Sequence, residues 1–126
     1  MLKDDFYTIT SINMEGNVIA ATLVINAKHE IFDGHFPGQP VVPGVCMMQM
    51  VKEITGIALV KDLQLIKGNE LKFLQIIDPR ENKEINIRVQ YNELQRDIIN
   101  VLASLFIENV QCFKFKGTFK SHNHQQ

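Results

Sequence analysis

The sequence has the length and composition of one soluble globular domain. It contains 126 residues, of which 45% are hydrophobic and 21% are charged, and its formal net charge is -1. Chains of about 100–200 residues commonly form a single domain, and this apolar content excludes a disordered chain. With so little net charge, no long-range field draws the protein to nucleic acid or to an anionic membrane surface.

Cysteine spacing and the N-terminal residues indicate a reducing compartment. Cys46 and Cys112 are far apart and have neither a disulfide framework nor metal-ligand spacing around them. The first five residues become acidic where a secretory signal would become apolar, and no apolar run reaches the 18 residues of a membrane span. We therefore expect a cytoplasmic protein without a bound metal.

The chain alternates β-rich runs with one long helical segment. Glu15-Gly16-Asn17 supplies hairpin-turn chemistry between the first two runs. The segment 45–60 contains no proline and is too long for a typical strand, which favours a helix. The predicted strands cover residues 6–14, 18–26, 63–77, 84–91, 98–107 and 110–120, and a loop rich in Gly and Pro covers residues 33–44.

The spacing of apolar residues predicts how these elements pack. Apolar and polar residues alternate in the segments 85–91 and 113–120, as in strands with one buried and one solvated face. A curled antiparallel sheet around a single helix would bury all the apolar strand faces on one element. We therefore predict an α+β fold, with one domain over residues 1–120 and a polar tail over residues 121–126.

The loop before the helix is the strongest candidate for a functional segment. Prolines and glycines crowd residues 35–45 and restrict the backbone there. His35 is the only titratable side chain in this segment. Because imidazole titrates near neutral pH, a rigidly held histidine suits proton abstraction. His35 is therefore a candidate general base.

The predicted helix begins where this loop ends. Gly44 and Val45 would supply amide N–H groups that lack partners within the helix. Such donors can hold a carbonyl oxygen that gains negative charge when the neighbouring carbon loses a proton. A base beside this helix start would suit chemistry that passes through an enolate.

The segment Gly34–Val45 resembles the GHFPxxPxxPGV signature of the bacterial 3-hydroxyacyl-acyl-carrier-protein dehydratases. Thr55-Gly56 and Lys72-Phe73-Leu74 extend the similarity weakly, and the predicted order of elements agrees over essentially the whole chain. The resemblance implies a hotdog fold, in which a curled sheet wraps one long helix. It also implies elimination of water from a (3R)-3-hydroxyacyl thioester to give the trans-2-enoyl product.

The resemblance also assigns roles to residues. It implies that His35 takes the C2 proton and that the Gly44 amide holds the thioester carbonyl. Phe36, Val45 and Met48 are further candidates for substrate contact; Met48 could line an adaptable acyl tunnel or pack in the core or a dimer interface. The resemblance implies no metal and no organic cofactor, and an acyl carrier protein with its phosphopantetheine-linked chain as partner. Sites of the family lie at a dimer interface, so we expect a homodimer or a trimer of dimers.

The helix departs from the family at its acidic residue. Counting from Gly44, that residue falls on Gln49, and Glu53 stands four residues later, where many relatives carry glutamine. An amide can hydrogen-bond a leaving hydroxyl but cannot protonate it. Glu53 shares a helix face with Gln49 and is the alternative acid, although Lys52 could pair with it and keep it ionised.

This departure leaves other functions open. A related subunit could contribute the missing acid in a heterodimer. The chain could instead be an accessory subunit that binds acyl thioesters without catalysis. A hotdog thioesterase is a further alternative, since fold alone does not decide the reaction.

Two other residues carry less information. His29 stands at a predicted strand end and is expected at the surface. Cys46, near the helix start, is expected to be a small apolar core residue rather than a reactive thiol.

Overall fold

The computed structural model describes residues 1–34, Gly38 and residues 40–122. The strands are β1 (Tyr7–Glu15), β2 (Val18–Ile25), β3 (Asp62–Phe73), β4 (Glu84–Gln95), β5 (Ile98–Ile107) and β6 (Val110–His122). The helices are α1 (Ile31–Gly34) and α2 (Gly44–Leu59).

The strands form one antiparallel sheet in the order β1-β2-β4-β5-β6-β3, curled around α2. The predicted sheet around one long helix is thus confirmed. Gly16, in the tight turn between β1 and β2, has a positive φ of 61°, which glycine adopts without steric cost. The strand order leaves β1 and β3 at the two edges.

The hydrophobic core lies between α2 and the concave face of the sheet. The alternation predicted for β6 is confirmed, because Phe113, Phe115 and Phe119 are fully buried and Lys116 between them is exposed. Burying each such side chain contributes about 1.5–3 kcal/mol. Cys46 is also buried, and burial raises the pKa of its thiol, in agreement with its predicted apolar role.

Several predicted boundaries differ from the structure. Strand β4 extends to Gln95 rather than ending at residue 91. Strand β3 ends at Phe73 rather than at residue 77, because the chain then leaves the sheet and the Leu74 amide turns to the carbonyl of Cys112. Strand β6 continues through Ser121 and His122, which the sequence had assigned to the tail. The amide of Ser121 donates to the carbonyl of Asp97, which keeps this end of β6 attached.

The prediction that His29 lies at the surface is wrong. Its side chain is 14% exposed and packs edge-on against Phe6, with ring centroids 5.4 Å apart. Its Nδ1 accepts the Ile31 amide at 3.0 Å, and its Nε2 lies 3.1 Å from Asp5. The imidazole therefore caps the start of α1, a short helix whose last two residues fall in the loop predicted over residues 33–44.

Helix α2 ends in a strained turn. Val60 has a positive φ of 55° and its side chain is 89% exposed, so this β-branched residue adopts the left-handed conformation without a buried contact in return. Gly56 allows the turn to close, since a Cβ there would lie 2.8 Å from the carbonyl oxygen of Lys61. Glycine is therefore required at position 56, and glycine would fit the backbone at position 60 with less strain than Val60 does.

Val60→Gly should stabilise the protein by about 1 kcal/mol, because glycine adopts the left-handed conformation without the Cβ penalty. Urea unfolding measures the change. Val110→Gly is the matched control, since Val110 is also exposed but does not have a positive φ. The two substitutions should have opposite signs; destabilisation by both would contradict the proposed strain.

Candidate active site

The predicted base lies outside the described residues, as does Phe36. The described parts of the surrounding loop are hydrogen-bonded to the middle of the β3–β4 connection, which covers residues 74–83. Arg80 donates to the carbonyl of Gly38 at 3.3 Å and is itself held by Asp78. The Val42 amide donates to the carbonyl of Ile77 at 2.9 Å. Both sides of the loop are therefore attached to the same segment.

Helix α2 begins at Gly44, directly after Pro43. The amides of Cys46 and Met47 both donate to the carbonyl of Pro43. Among the described residues, no acceptor takes the amides of Gly44 and Val45. Val45 is 76% exposed, so its side chain is available for contact rather than buried in the core. These two N–H groups can hold a carbonyl oxygen.

An apolar cavity of about 550 Å³ opens at this helix start. Phe73 lies so close that a Cβ on Gly44 would be 2.6 Å from its ring, although the Phe73 side chain is 57% exposed. Phe73 is therefore a site residue to which the sequence assigned no role. The cavity is lined by Val41, Val42, Pro43, Gly44, Met47, Phe73, Leu74, Gln75 and Ile76.

One turn along the helix, the structure brings Gln49 and Glu53 together. The Nε2 of Gln49 donates to the Oε2 of Glu53 at 2.7 Å, and the Leu2 amide donates to the same oxygen at 2.8 Å. The Oε1 of Glu53 accepts the Tyr7 hydroxyl at 2.8 Å and the Lys3 amide at 3.0 Å. The Glu53 side chain is only 6% exposed. Four donors thus converge on one buried carboxylate.

This network favours an ionised Glu53. Burial acts to raise its pKa, but the hydrogen bonds act in the opposite direction, and the net pKa lies below the usual value. Burial and the neighbouring carboxylate raise the pKa of Tyr7, so its hydroxyl remains a donor. The sequence had suggested Lys52 as the group that keeps Glu53 ionised. The groups that hydrogen-bond to Glu53 are instead the backbone amides of Leu2 and Lys3, the side-chain amide of Gln49 and the phenol of Tyr7.

Gln49 and Glu53 line a second groove, of about 420 Å³, that is separate from the first cavity. Five residues separate Gly44 from Gln49, which is about 7.5 Å along the helix and about 140° around it. Met48 packs partly buried against the core and lines neither space. The groove is lined by Met1, Gln49, Lys52, Glu53, Gly56, Ile57, Val60, Lys61, Asp62 and Leu63.

The network also contains residues that the sequence did not identify. Tyr7 reaches Glu53 across 46 positions, and the amides of Leu2 and Lys3 do so across 51 and 50. Backbone donors carry no residue-specific signal, and Tyr7 is otherwise an ordinary member of β1. Only the presence of a glutamate within an apolar helix face could have indicated that partners were needed.

Comparison with known proteins identifies the class of protein. Residues 11–102 match the family described as ApeI-like, the ApeI dehydratases. A 3-hydroxyacyl-acyl-carrier-protein dehydratase FabZ from Haemophilus influenzae strain PittEE is 34% identical over 84 residues, which cover 60% of this chain and 56% of that relative. The chain therefore belongs to the ApeI-like dehydratase family. It spans little more than half the length of the curated relatives it matches.

Solved structures agree in fold. The dehydratase heterocomplex ApeI:P from Xenorhabdus doucetiae aligns with a TM-score of 0.72 at 17% identity, covering 90% of this chain and 96% of that one. A hypothetical thioesterase with coenzyme A from Streptococcus pneumoniae aligns with a TM-score of 0.67 at 12% identity, covering 95% and 88%. The predicted hotdog fold is thus confirmed, with neighbours of both reaction classes.

Two further observations concern the described residues alone. None of their helices combines the length and apolar character needed to cross a bilayer. They also contain no cluster of three or more His, Cys, Asp or Glu side chains placed to hold a metal ion.

The lowered pKa of Glu53 predicts a contribution to acid stability. A carboxyl with a folded pKa below its unfolded value, about 4.3, stabilises the protein above that value, and the contribution is lost as the pH falls through the folded pKa. The free energy of unfolding should therefore fall less steeply below about pH 5 in Glu53→Gln than in the wild type. Urea unfolding at a series of pH values measures this.

Asp78→Asn is the control for that experiment. Hydrogen bonds from Arg80 also lower the pKa of Asp78, so this variant removes a different contribution to acid stability. When Glu53→Gln is introduced into Asp78→Asn, it should again make the free energy of unfolding fall less steeply below about pH 5. Equal acid slopes for the wild type and Glu53→Gln would contradict a lowered pKa at Glu53.

Proposed function

We propose that the chain acts on (3R)-3-hydroxyacyl thioesters of an acyl carrier protein and contributes to their dehydration to trans-2-enoyl thioesters. The observation that carries this proposal is that the amides of Gly44 and Val45 have no acceptor among the described residues and that Gly44 lines an apolar cavity. The dehydratase signature places His35 in the adjoining loop. Family membership supports the same chemistry.

In this proposal His35 removes a proton from C2 of the substrate. The electron pair moves toward the thioester carbonyl, whose oxygen accepts a hydrogen bond from Gly44. The enolate then forms the C2–C3 double bond as the C3–O bond breaks. The departing oxygen takes a proton, from the imidazolium of His35 or from an acid of a second subunit, and leaves as water, because this chain has only the amide of Gln49 where the family has an acid.

Glu53 is poorly suited to deliver that proton. It is buried, its two oxygens already accept four hydrogen bonds, and its pKa lies below the usual value. General acid catalysis contributes about 10²–10⁴-fold to rate, so its loss would leave a slow enzyme. This observation favours the second candidate function, an accessory subunit that binds the acyl thioester and relies on a partner for the acid.

The position of the two halves of the site supports an assembly. Gly44 and Gln49 lie about 140° apart around α2 and line separate spaces. One subunit therefore presents them in different directions. A substrate that contacts both kinds of group would lie between two subunits, one supplying Gly44 and the other supplying Gln49 or an acid in its place.

Edge strand β3 is the surface that a second subunit would cover. It pairs with β6 on one side, and its apolar side chains Leu65, Leu71 and Phe73 remain exposed, although their cross-strand partners Phe119, Phe115 and Phe113 are buried. A long apolar edge strand is an aggregation hazard unless it is covered. Ile66, Leu74 and Ile76 extend the exposed apolar surface.

We propose that this edge forms a homodimer, or a trimer of dimers, or a heterodimer with an acid-bearing relative. The ApeI:P neighbour is a heterocomplex, which supports the last arrangement for this chain. We further propose a cytoplasmic location, where both buried cysteines remain thiols. No cofactor is required by the elimination.

An assay with 3-hydroxyacyl-pantetheine thioesters, following enoyl product and free thiol separately, tests the activity. We expect slow enoyl formation that falls at least 100-fold in His35→Ala, because the base is lost. The double variant Gln49→Glu, Glu53→Gln restores the family's order of acid and amide and should raise the rate at least tenfold.

The other outcomes separate the alternatives. Thiol release without enoyl product would identify a thioesterase and overturn the proposal. An inactive protein that binds the thioester, and that gains activity only when mixed with an acid-bearing relative, would establish the accessory function. Failure to bind any acyl thioester would overturn both.

Replacing an apolar residue on the β3 edge should weaken subunit association. Leu71→Glu should shift the mass measured by sedimentation toward the monomer, because it places a charge in the proposed interface. Leu102→Glu is the matched control: Leu102 is similarly exposed but lies on the opposite face of the sheet, paired with Lys116. A wild-type monomer, or equal effects of the two substitutions, would contradict this interface.

A further inference from the structure

The orientation of the Gln49 side-chain amide bears on which acyl chains the site accepts. We propose that Glu53 is a positioning residue that directs the carbonyl oxygen of Gln49 toward the substrate, so that the site selects chains with a hydroxyl donor at C3. This inference rests on the proposed function and names the feature of the substrate that Gln49 recognises.

The contact between the two side chains fixes which way the amide faces. An ionised carboxylate only accepts hydrogen bonds, and the terminal amide of glutamine has one donor side and one acceptor side. At 2.7 Å from the Oε2 of Glu53, the donor Nε2 must occupy the near position. The reversed amide would place two oxygens at this distance with no proton between them. The carbonyl oxygen of Gln49 therefore faces away from Glu53.

Glu53 can perform this role because it is held from several directions. Its Oε1 is fixed by Tyr7 and Lys3, and its Oε2 is also held by the Leu2 amide. Its burial excludes water that could compete for the same oxygens. Gln49 stands one helical turn away on the same face, so the backbone sets the separation of the two side chains.

The carbonyl oxygen of Gln49 is available to a ligand. Among the described residues, none donates to it, and Gln49 is partly exposed at the groove. A 3-hydroxyl can donate a hydrogen bond to this oxygen. A 3-oxo group offers only an acceptor, and a saturated chain offers neither. The site should therefore favour the hydroxyacyl chain over both analogues.

The closing experiment measures binding of three pantetheine amides, which carry octanoyl, 3-oxooctanoyl or (3R)-3-hydroxyoctanoyl chains, to the full-length protein by calorimetry. The amide in place of the thioester makes the C2 proton less acidic and prevents turnover. We expect the hydroxyacyl ligand to bind about five- to tenfold more tightly than the other two, as one hydrogen bond would give. Gln49→Leu should abolish this preference.

Glu53→Gln tests positioning. An amide at position 53 can present either its oxygen or its nitrogen to Gln49, so Gln49 can adopt both orientations and the preference should fall to about twofold or less. Tyr7→Phe is the matched control. It removes a donor from the opposite oxygen of Glu53, so it should lower stability and leave the preference unchanged.

A spectroscopic measurement covers the case in which Glu53→Gln does not fold. In the wild type, one side-chain N–H of Gln49, assigned by its absence in Gln49→Leu, should exchange slowly with solvent in nitrogen-proton spectra and should remain protected in Tyr7→Phe. Rapid exchange of both Gln49 protons would overturn the positioning role.

The binding results separate this inference from the proposed function. Equal binding of all three ligands by the wild type would overturn the selection at C3 and leave acyl-thioester binding intact. An unchanged preference in folded Glu53→Gln would assign the selection to Gln49 without Glu53. Absence of binding by every ligand would overturn the proposed function together with this inference.

Discussion

The buried carboxylate of Glu53 joins the N-terminal residues and the start of β1 to helix α2, two parts of the chain that are distant in sequence. It receives amides from residues 2 and 3, the hydroxyl of Tyr7 at the start of β1, and the side chain of Gln49 within α2. An unpaired carboxylate at this depth would be strongly unfavourable, so loss of any of these donors should destabilise the folded protein. The same contacts that hold the N-terminal residues against the helix therefore define the chemistry beside Gln49.

Exchanging acid and amide within one helical turn changes what the site can do more than it changes the fold. A carboxyl at position 49 would be partly exposed, whereas the carboxyl at position 53 is enclosed by donors. Enclosure keeps it ionised and uses its lone pairs internally. The chain thus keeps the loop signature and the helix start of its family. In the proposed function, a second subunit supplies the proton donor.

The sequence predicted what local chemistry determines. Alternation at Phe113 and Phe115 identified a strand with a core face, and the Pro43-Gly44 step identified the helix start. The N-terminal partners of Glu53 were not predictable, because backbone amides look alike in any sequence and the contacts span 46 to 51 residues. The contact of Phe73 with Gly44 depends on where β3 ends, which spacing alone misplaced. The position of His35 stays a prediction.

The two backbone amides on Glu53 impose an unusual constraint on the start of the chain. Because Leu2 and Lys3 act through their N–H groups, their side chains can vary without changing these contacts. Proline has no amide hydrogen, so it would be excluded at either position even though both lie outside any regular strand or helix. Sequence drift among relatives could therefore be extensive at positions 2 and 3 and still leave the carboxylate with its full set of donors.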